Sequence, residues 1–398
     1  MTELHAARRR LFSILTEHHG REFETAPAGG VTPWQSLFEF ADSWRVLPPL
    51  RRRISDLGLS LSAAETVELT ARWRRVFAFS ASVCGAGARI SASMTSSGIP
   101  HVLFKGVAAI AQIYGGPDER TTVDADVLIG EQDLPRTIDA LHELGLRPSD
   151  GGDLSGYRRA IRNMPGFAGN QAITLTGGPL QHLDLHWSLG AGVDSELAAE
   201  KLIARGVPRN LLGTEVHVVS PVDGFLLGAH HAMRNNFAPD RMVRDVLDAA
   251  RWLDVLQRQG ALGEVIARAQ RCRLRPAVFG LAVLAGREPA LAELSCPDGF
   301  DLVELFRLQL EEPLGNDLAT LVDPHALTSI LRGALGNWRE YRKYLSHLDV
   351  ENKGTAQSVK GRIAAVFANL RALRGERGKA YRALRTLARV RAAYQRAG

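Results

Sequence analysis

Cysteine is nearly missing from this sequence: Cys84, Cys272 and Cys296 are the only three in 398 residues. Three widely spaced thiols cannot build a disulfide framework or a cysteine-rich zinc site, and so small a number fits a reducing compartment. Long apolar runs are missing too. No stretch approaches the roughly 18–20 uninterrupted apolar residues of a membrane span, so no membrane partner is expected. The start, Met1 to Leu15, carries Arg8, Arg9 and Arg10 but neither an apolar stretch nor a small-residue cleavage site. No signal peptide is read there, and a cytoplasmic location is expected. The Gly-x-x-x-x-Gly-Lys-Ser/Thr phosphate loop and the Gly-x-Ser-x-Gly nucleophile elbow do not occur. Internal repeats and extended low-complexity segments are absent as well.

What remains is the composition of an ordinary soluble globular protein, 45% hydrophobic and 23% charged, long enough for two or three domains. The net charge of +6 is uneven: residues 360–396 hold eleven Lys or Arg against Glu376 alone, which leaves the rest mildly acidic. A basic end of this kind meets nucleic acid, nucleotide phosphates or an acidic partner, or is simply the solvated face of a helix.

The pattern divides the chain into three. Residues 1–97 read as helical. Leu11, Ile14 and Leu15 recur at helix spacing, Trp34 to Phe40 opens a second apolar stretch, and Ser60–Ser97 reads as a long helix or helix pair. Ser62 with Glu65 has the spacing of a capping box, and Gly98 stops the helix. Residues 98–190 change grammar: a short apolar run at 100–104, a helical segment from Val107 to Tyr114, and a β-branched run, Val123–Ile129. Asp133 is expected to cap a helix over Leu134–Leu144, and two further strands, 171–176 and 180–187, meet at Gly177-Gly178-Pro179. Residues 191–398 return mostly to helices, including one opened by Ser220-Pro221 and amphipathic helices over 363–394.

The chemistry concentrates in the middle unit. Asp124 and Asp126 are one residue apart, so on a strand both carboxylates leave the same face while Ala125, Val127 and Ile129 enter a core. Two like charges at that spacing repel unless a cation neutralises them, and hard oxygen ligands suit Mg²⁺ or Mn²⁺. Some 60 residues on, Leu183-Asp-Leu-His-Trp187 places Asp184 and His186 within an apolar alternation, where an acid is costly unless paired or metal-bound. Three carboxylates from two strands are what a two-metal phosphoryl-transfer site needs.

Several ordered segments resemble a family of bacterial nucleotidyltransferases that is itself uncharacterised. They are Ser96-Ser-Gly-Ile-Pro-His-Val-Leu-Phe-Lys-Gly106, Tyr114, Arg120, Val123-Asp-Ala-Asp-Val-Leu-Ile129, Asp184-Leu-His-Trp187, and Ser220-Pro-Val-Asp223 followed by His230-His231. The similarity covers roughly residues 80–260. It implies the polymerase-β-like nucleotidyltransferase fold, an α+β core whose short mixed sheet carries the acidic triad, here flanked by helical regions. It also implies transfer of a nucleoside monophosphate from an NTP, with Mg²⁺ or Mn²⁺ held by Asp124, Asp126 and Asp184. The broader superfamily has Gly-Ser or Gly-Gly after its first strand. This chain has Gly106-Val107 preceded by Lys105, so Gly106 would let the nucleotide approach the backbone and Lys105 would supply the phosphate-binding charge.

Arg120 has two readings, a phosphate contact or a structural partner of Asp124 or Asp184. His186 is a ligand, a base, a contact to the nucleotide, or a satisfied buried histidine. Trp187 and Phe237 read as core. The acceptor is left open as a peptide, a small molecule or nucleic acid, the last through the basic C-terminal helices. Two other readings keep the same fold: a sugar-nucleotide-dependent tailoring transferase, and a catalytically degenerate adaptor.

Overall fold

Short strands bounded by Gly and Pro need neighbours on both sides, and this chain gathers seven of them into one sheet. The computed structural model describes residues 3–16, 34–149, 171–177, 180–189, 195–235 and 237–311. Four helices come first: α1 (Glu3–Leu15), α2 (Trp34–Ser43), α3 (Leu47–Asp56) and α4 (Ala63–Ser96). The segment read as a helix or helix pair is one helix of 34 residues. Its capping box forms as the spacing predicts: Glu65 N donates to Ser62 Oγ at 3.2 Å, and Ser62 N donates to Glu65 Oε2 at 2.8 Å. Gly98 closes its other end in the left-handed conformation, at φ +61°.

The sheet is built by β1 (His101–Phe104), β2 (Ala125–Ile129), β3 (Leu146–Pro148), β4 (Gln171–Gly177), β5 (Leu180–Ser188), β6 (Val207–Leu211) and β7 (Thr214–Val218). Between them run α5 (Lys105–Ile113), α6 (Leu134–Glu143) and α7 (Ala199–Ala204). The order is β3-β4-β5-β2-β1-β7-β6, with β2 in the centre. It is a mixed sheet: β2 runs antiparallel to β1 and parallel to β5, and β7 runs parallel to β1. Being central, β2 is buried on both faces. Ala125 packs toward α4, where a Cβ on Gly87 would stand 3.8 Å from Ala125 Cβ and 3.4 Å from Val107 Cγ1. The other face of β2 carries Asp126.

Three local expectations need correction. The chain after Gly190 does not go straight to helices, because β6 and β7 form a hairpin that extends the sheet. Its two turn residues, Leu212 and Gly213, both have positive φ, 51° and 83°. Leu is a rare choice at such a position, so the hairpin lacks the usual Asn-Gly signal, and Pro208 further disguises a strand that tolerates it only as the sheet's edge. The strand read as Val123–Ile129 begins at Ala125, so Asp124 precedes it. Asp133 does not cap α6. Its backbone is helical (φ −88°, ψ −6°), it makes no capping hydrogen bond, and its Oδ1 accepts from Arg136 Nε at 2.9 Å. Pro135 has also removed one of the N–H groups a cap would take.

Five helices complete the described chain: α8 (Pro221–Arg234), α9 (Pro239–Arg258), α10 (Leu262–Arg271), α11 (Arg275–Leu284) and α12 (Pro297–Glu311). Ser220 caps α8, accepting from Asp223 N at 3.2 Å, with Pro221 at the first helical position as expected. Asp223, fully buried, ties this helix start to Arg205 (3.0 Å) and to Arg268, so that motif residue is structural. Trp187 and Phe237 are core, 4% and 0% exposed. The basic end and the amphipathic helices over 363–394 lie outside the described residues. Among those described, no helix is long and apolar enough to cross a membrane.

Candidate active site

Phe104 ends β1 in extended backbone, and the chain turns at once into α5 at Lys105, whose φ of +52° few L-residues adopt. That turn projects Lys105 beside β2. In register, Phe104 lies opposite Asp126, and Asp126 lies beside Asp184 on the parallel neighbour β5. Adjacent strands are about 4.8 Å apart, so the two carboxylates crowd one face of the sheet. Lys105 Nζ donates to Asp126 Oδ1 at 2.5 Å, and His186 Nε2 lies 3.1 Å from the same oxygen. Thr174 Oγ1 on β4 donates to Asp184 Oδ1 at 2.7 Å. The edge of the Phe104 ring packs on His186, centroids 5.0 Å apart.

The charges are finely divided. Asp126 is only 1% exposed, and burial alone would raise its pKa. The Lys105 cation and the His186 contact outweigh that and hold it well below the usual carboxylate range. Lys105 responds in the opposite sense: burial works against its charge, but Asp126, and then Asp124 and Asp184, push its pKa up. Asp124 is raised, first by burial and then by the Asp126 charge, with Lys105 opposing. The site is therefore held ionised at Asp126 and is uncomfortable at Asp124, a condition that a further cation relieves.

Asp126, Asp184 and His186 each offer one ligand atom, and these atoms lie within 4.8 Å of one another. His186 Nδ1 is buried with no hydrogen-bond partner among the described residues. Two carboxylates and an imidazole are a donor set that could hold a divalent cation. Of the three aspartates singled out in the sequence, Asp126 and Asp184 come together in this group. Asp124 stands outside it, at the wall of the adjoining cleft.

That cleft has a volume of about 670 Å³ and is walled by Lys105, Gly106, Asp124 and Asp126 on the sheet side and by α8 and α9 on the other. A smaller cavity of about 200 Å³ reaches His186 and shares Lys105, Leu227, His231 and Asn235 with the cleft's lining. Gly106 lines the cleft, but its missing side chain serves packing: a Cβ there would stand 2.3 Å from Thr122 Oγ1 and 2.9 Å from Arg120 Nη1. Thr122 Oγ1 in turn donates to the Asp124 carbonyl at 3.1 Å. Gly106→Ala should cost about 1–3 kcal/mol by overpacking and displace Asp124. Thermal denaturation would show the loss, and an unchanged Tm would mean that Thr122 yields freely.

Arg120 pairs with neither Asp124 nor Asp184. Its guanidinium grips Asp248 on α9, Nη2 to Oδ2 at 2.7 Å and Nε to Oδ1 at 2.9 Å. Tyr114 Oη donates to the same carboxylate at 2.6 Å. Burial first, then Asp248, pushes the Tyr114 phenol well up, so it stays protonated and keeps donating. His231 is likewise occupied, its Nδ1 2.7 Å from Asp245 Oδ2.

A mixed sheet with paired acids on its central strands, a helix starting at the end of β1 and helices walling a cleft together define an α+β core of the nucleotidyltransferase type. The family model described as an uncharacterised nucleotidyltransferase matches residues 31–287. The chain belongs to that family. No curated protein matches it. The matched segment runs from just before α2 to just after α11 and so contains the whole sheet.

Sequence reasoning passed over the cationic residues of the cleft's helical wall. Arg241, Arg244, Asp245 and Asp248 recur at helix spacing on one face of α9, while Met242, Val243 and Val246 are buried. The stripe was visible, but a polar helix face ordinarily meets solvent. Only the packing of α9 across the sheet's acidic end turns it toward the site.

Proposed function

We propose that this protein transfers a nucleoside monophosphate from an NTP to an acceptor hydroxyl or other nucleophile. The observation that carries this reading is the register of Asp126 beside Asp184, next to an open cleft large enough for a nucleotide. In the step, the acceptor oxygen bonds to the α-phosphorus, the bond from that phosphorus to the α–β bridging oxygen breaks, and pyrophosphate leaves. The acceptor's proton goes to a nearby base, for which Asp184 is the candidate. Asp126 and Asp184, with Asp124 from the cleft side, would hold Mg²⁺ or Mn²⁺. When bound, such an ion offsets charge on the triphosphate and makes the acceptor oxygen more acidic. Lys105 keeps Asp126 ionised and places a positive charge at the start of α5, where anions are favoured. The cavity at His186 is our candidate for the acceptor site, because it shares Lys105 with the cleft's lining and contains His186.

The test is to incubate the protein with each NTP and Mg²⁺ or Mn²⁺, following pyrophosphate release and thermal stability together. One NTP should raise Tm further when the metal is present than when it is absent, with a stabilisation of about 2.7 kcal/mol at one hundred times its Kd. Stabilisation by sugar nucleotides but by no NTP would transfer the reading to a glycosyl donor. Stabilisation by neither would remove it.

A further inference from the structure

The cleft holds more positive charge than its own acids consume. Lys105 is taken by Asp126, Arg120 by Asp248, and Arg241 lies 3.9 Å from Asp240. Asp245 is engaged by His231. Three further arginines line the same cleft: Arg8 from α1, Arg45 from the α2–α3 junction and Arg244 from α9. Among the described residues none of the three makes an ion pair. Arg8 rests its guanidinium on the Phe40 ring, 5.3 Å from the centroid, while its buried Nε and Nη1 have no hydrogen-bond partner among the described residues. Arg45 is exposed at the cleft wall and held at φ +58°.

Leaving such groups unsatisfied is costly. A buried guanidinium N–H without an acceptor forfeits its hydration, and neighbouring guanidinium groups repel one another. Arg244 shows the strain: burial, then Arg120, and also Arg45, work against its charge, and Asp245 and Asp248 only partly offset them. Arg8 is disfavoured by burial, with Asp240 the acid that offsets it. Three elements distant in sequence have thus converged on one cavity, each bringing a guanidinium that makes no ion pair among the described residues. An oxyanion rich in oxygens supplies what they lack, since guanidinium groups bind phosphate bidentately.

We propose that Arg8, Arg45 and Arg244 form a polyphosphate subsite in the same cleft as Asp124 and Asp126. It takes the β- and γ-phosphates of a nucleoside triphosphate and then the pyrophosphate that leaves. The assignment to a triphosphate rests on the function proposed above; the anion site itself does not. It also gives α1 a role: Arg8 lies before residue 31, where the family match begins, so the N-terminal helix completes a site that the rest of the chain opens.

The probe is inorganic tripolyphosphate, titrated calorimetrically into the full chain without divalent metal. The wild-type protein should bind it, more weakly as salt rises. Arg244→Ala should weaken binding by about tenfold or more, as expected for a lost charge-assisted fork. Arg45→Ala should weaken it too, and because Arg45 is exposed this variant tests the subsite even if Arg244→Ala folds poorly. Asp124→Asn with Asp126→Asn should bind at least as tightly, since repelling charge has gone. Wild-type protein that fails to bind, or arginine variants that bind as tightly as wild type, would overturn the subsite. The two proposals fail separately. Arginine-dependent tripolyphosphate binding without turnover of any NTP would leave the subsite standing and remove nucleotidyl transfer. Turnover with a KM for NTP unchanged in Arg45→Ala and Arg244→Ala would do the reverse.

Discussion

Asp126→Asn combined with Asp184→Asn should lower nucleotidyl transfer by about a thousandfold or more while the protein remains folded. The magnitude follows from the loss of several kcal/mol of charge stabilisation at the triphosphate, at about 1.4 kcal/mol per tenfold. Folding should survive because the Lys105 side chain is 36% exposed and can be rehydrated when Asp126 loses its charge. Asn also keeps the shape that the Thr174 and His186 contacts surround. Asp124→Asn should have a smaller effect, because Asp124 stands outside the tight group of ligand atoms and its ionised form is already disfavoured. The readout is pyrophosphate release, with the thermal midpoint as the folding control. If the double variant turns over NTP at the wild-type rate, these carboxylates do not carry the chemistry.

The largest stability effect is expected at Asp248, which is far from the acids in sequence but next to them in the cleft. Asp248→Ala leaves the Arg120 guanidinium, 6% exposed, without its carboxylate, and also leaves the Tyr114 hydroxyl without an acceptor. Breaking one side of a buried pair costs about 3–5 kcal/mol, because the remaining charge stays desolvated. For a chain of this size the loss corresponds to a fall in Tm of about 5 °C. Removing both charges together, Arg120→Met with Asp248→Leu, should recover much of it. A midpoint unchanged in Asp248→Ala would show that water reaches Arg120. This pair links the loop before β2 to α9, so it also sets the distance between the acids and the cleft's helical wall.

Local chemistry was legible where a side chain acts on its own neighbours. The Ser62–Glu65 box, the Ser220-Pro221 start and the Asp184 and His186 alternation all follow from spacing along the chain. Legibility ended where one local signal contradicted another. Leu212 and Pro208 concealed the β6–β7 hairpin, and the helical backbone at Asp133 cancelled an apparent cap. For Arg120, read either as a phosphate contact or as a partner of Asp124 or Asp184, spacing could not point to Asp248, which is 128 positions away.

Residue order by itself determined that acidic side chains would alternate with apolar ones on two strands. Side-chain direction in a strand repeats every two residues whatever surrounds it. It also determined that a short apolar strand ending at Phe104 would be followed within a few residues by a helix. Tertiary structure alone decided that β2 and β5 lie side by side in the register that opposes Asp126 to Asp184, and that Lys105 meets Asp126. It alone decided that arginines from α1, α2–α3 and α9 share one cavity. Those outcomes depend on which faces find each other when the core is buried, a choice made by packing across distances that no local pattern encodes.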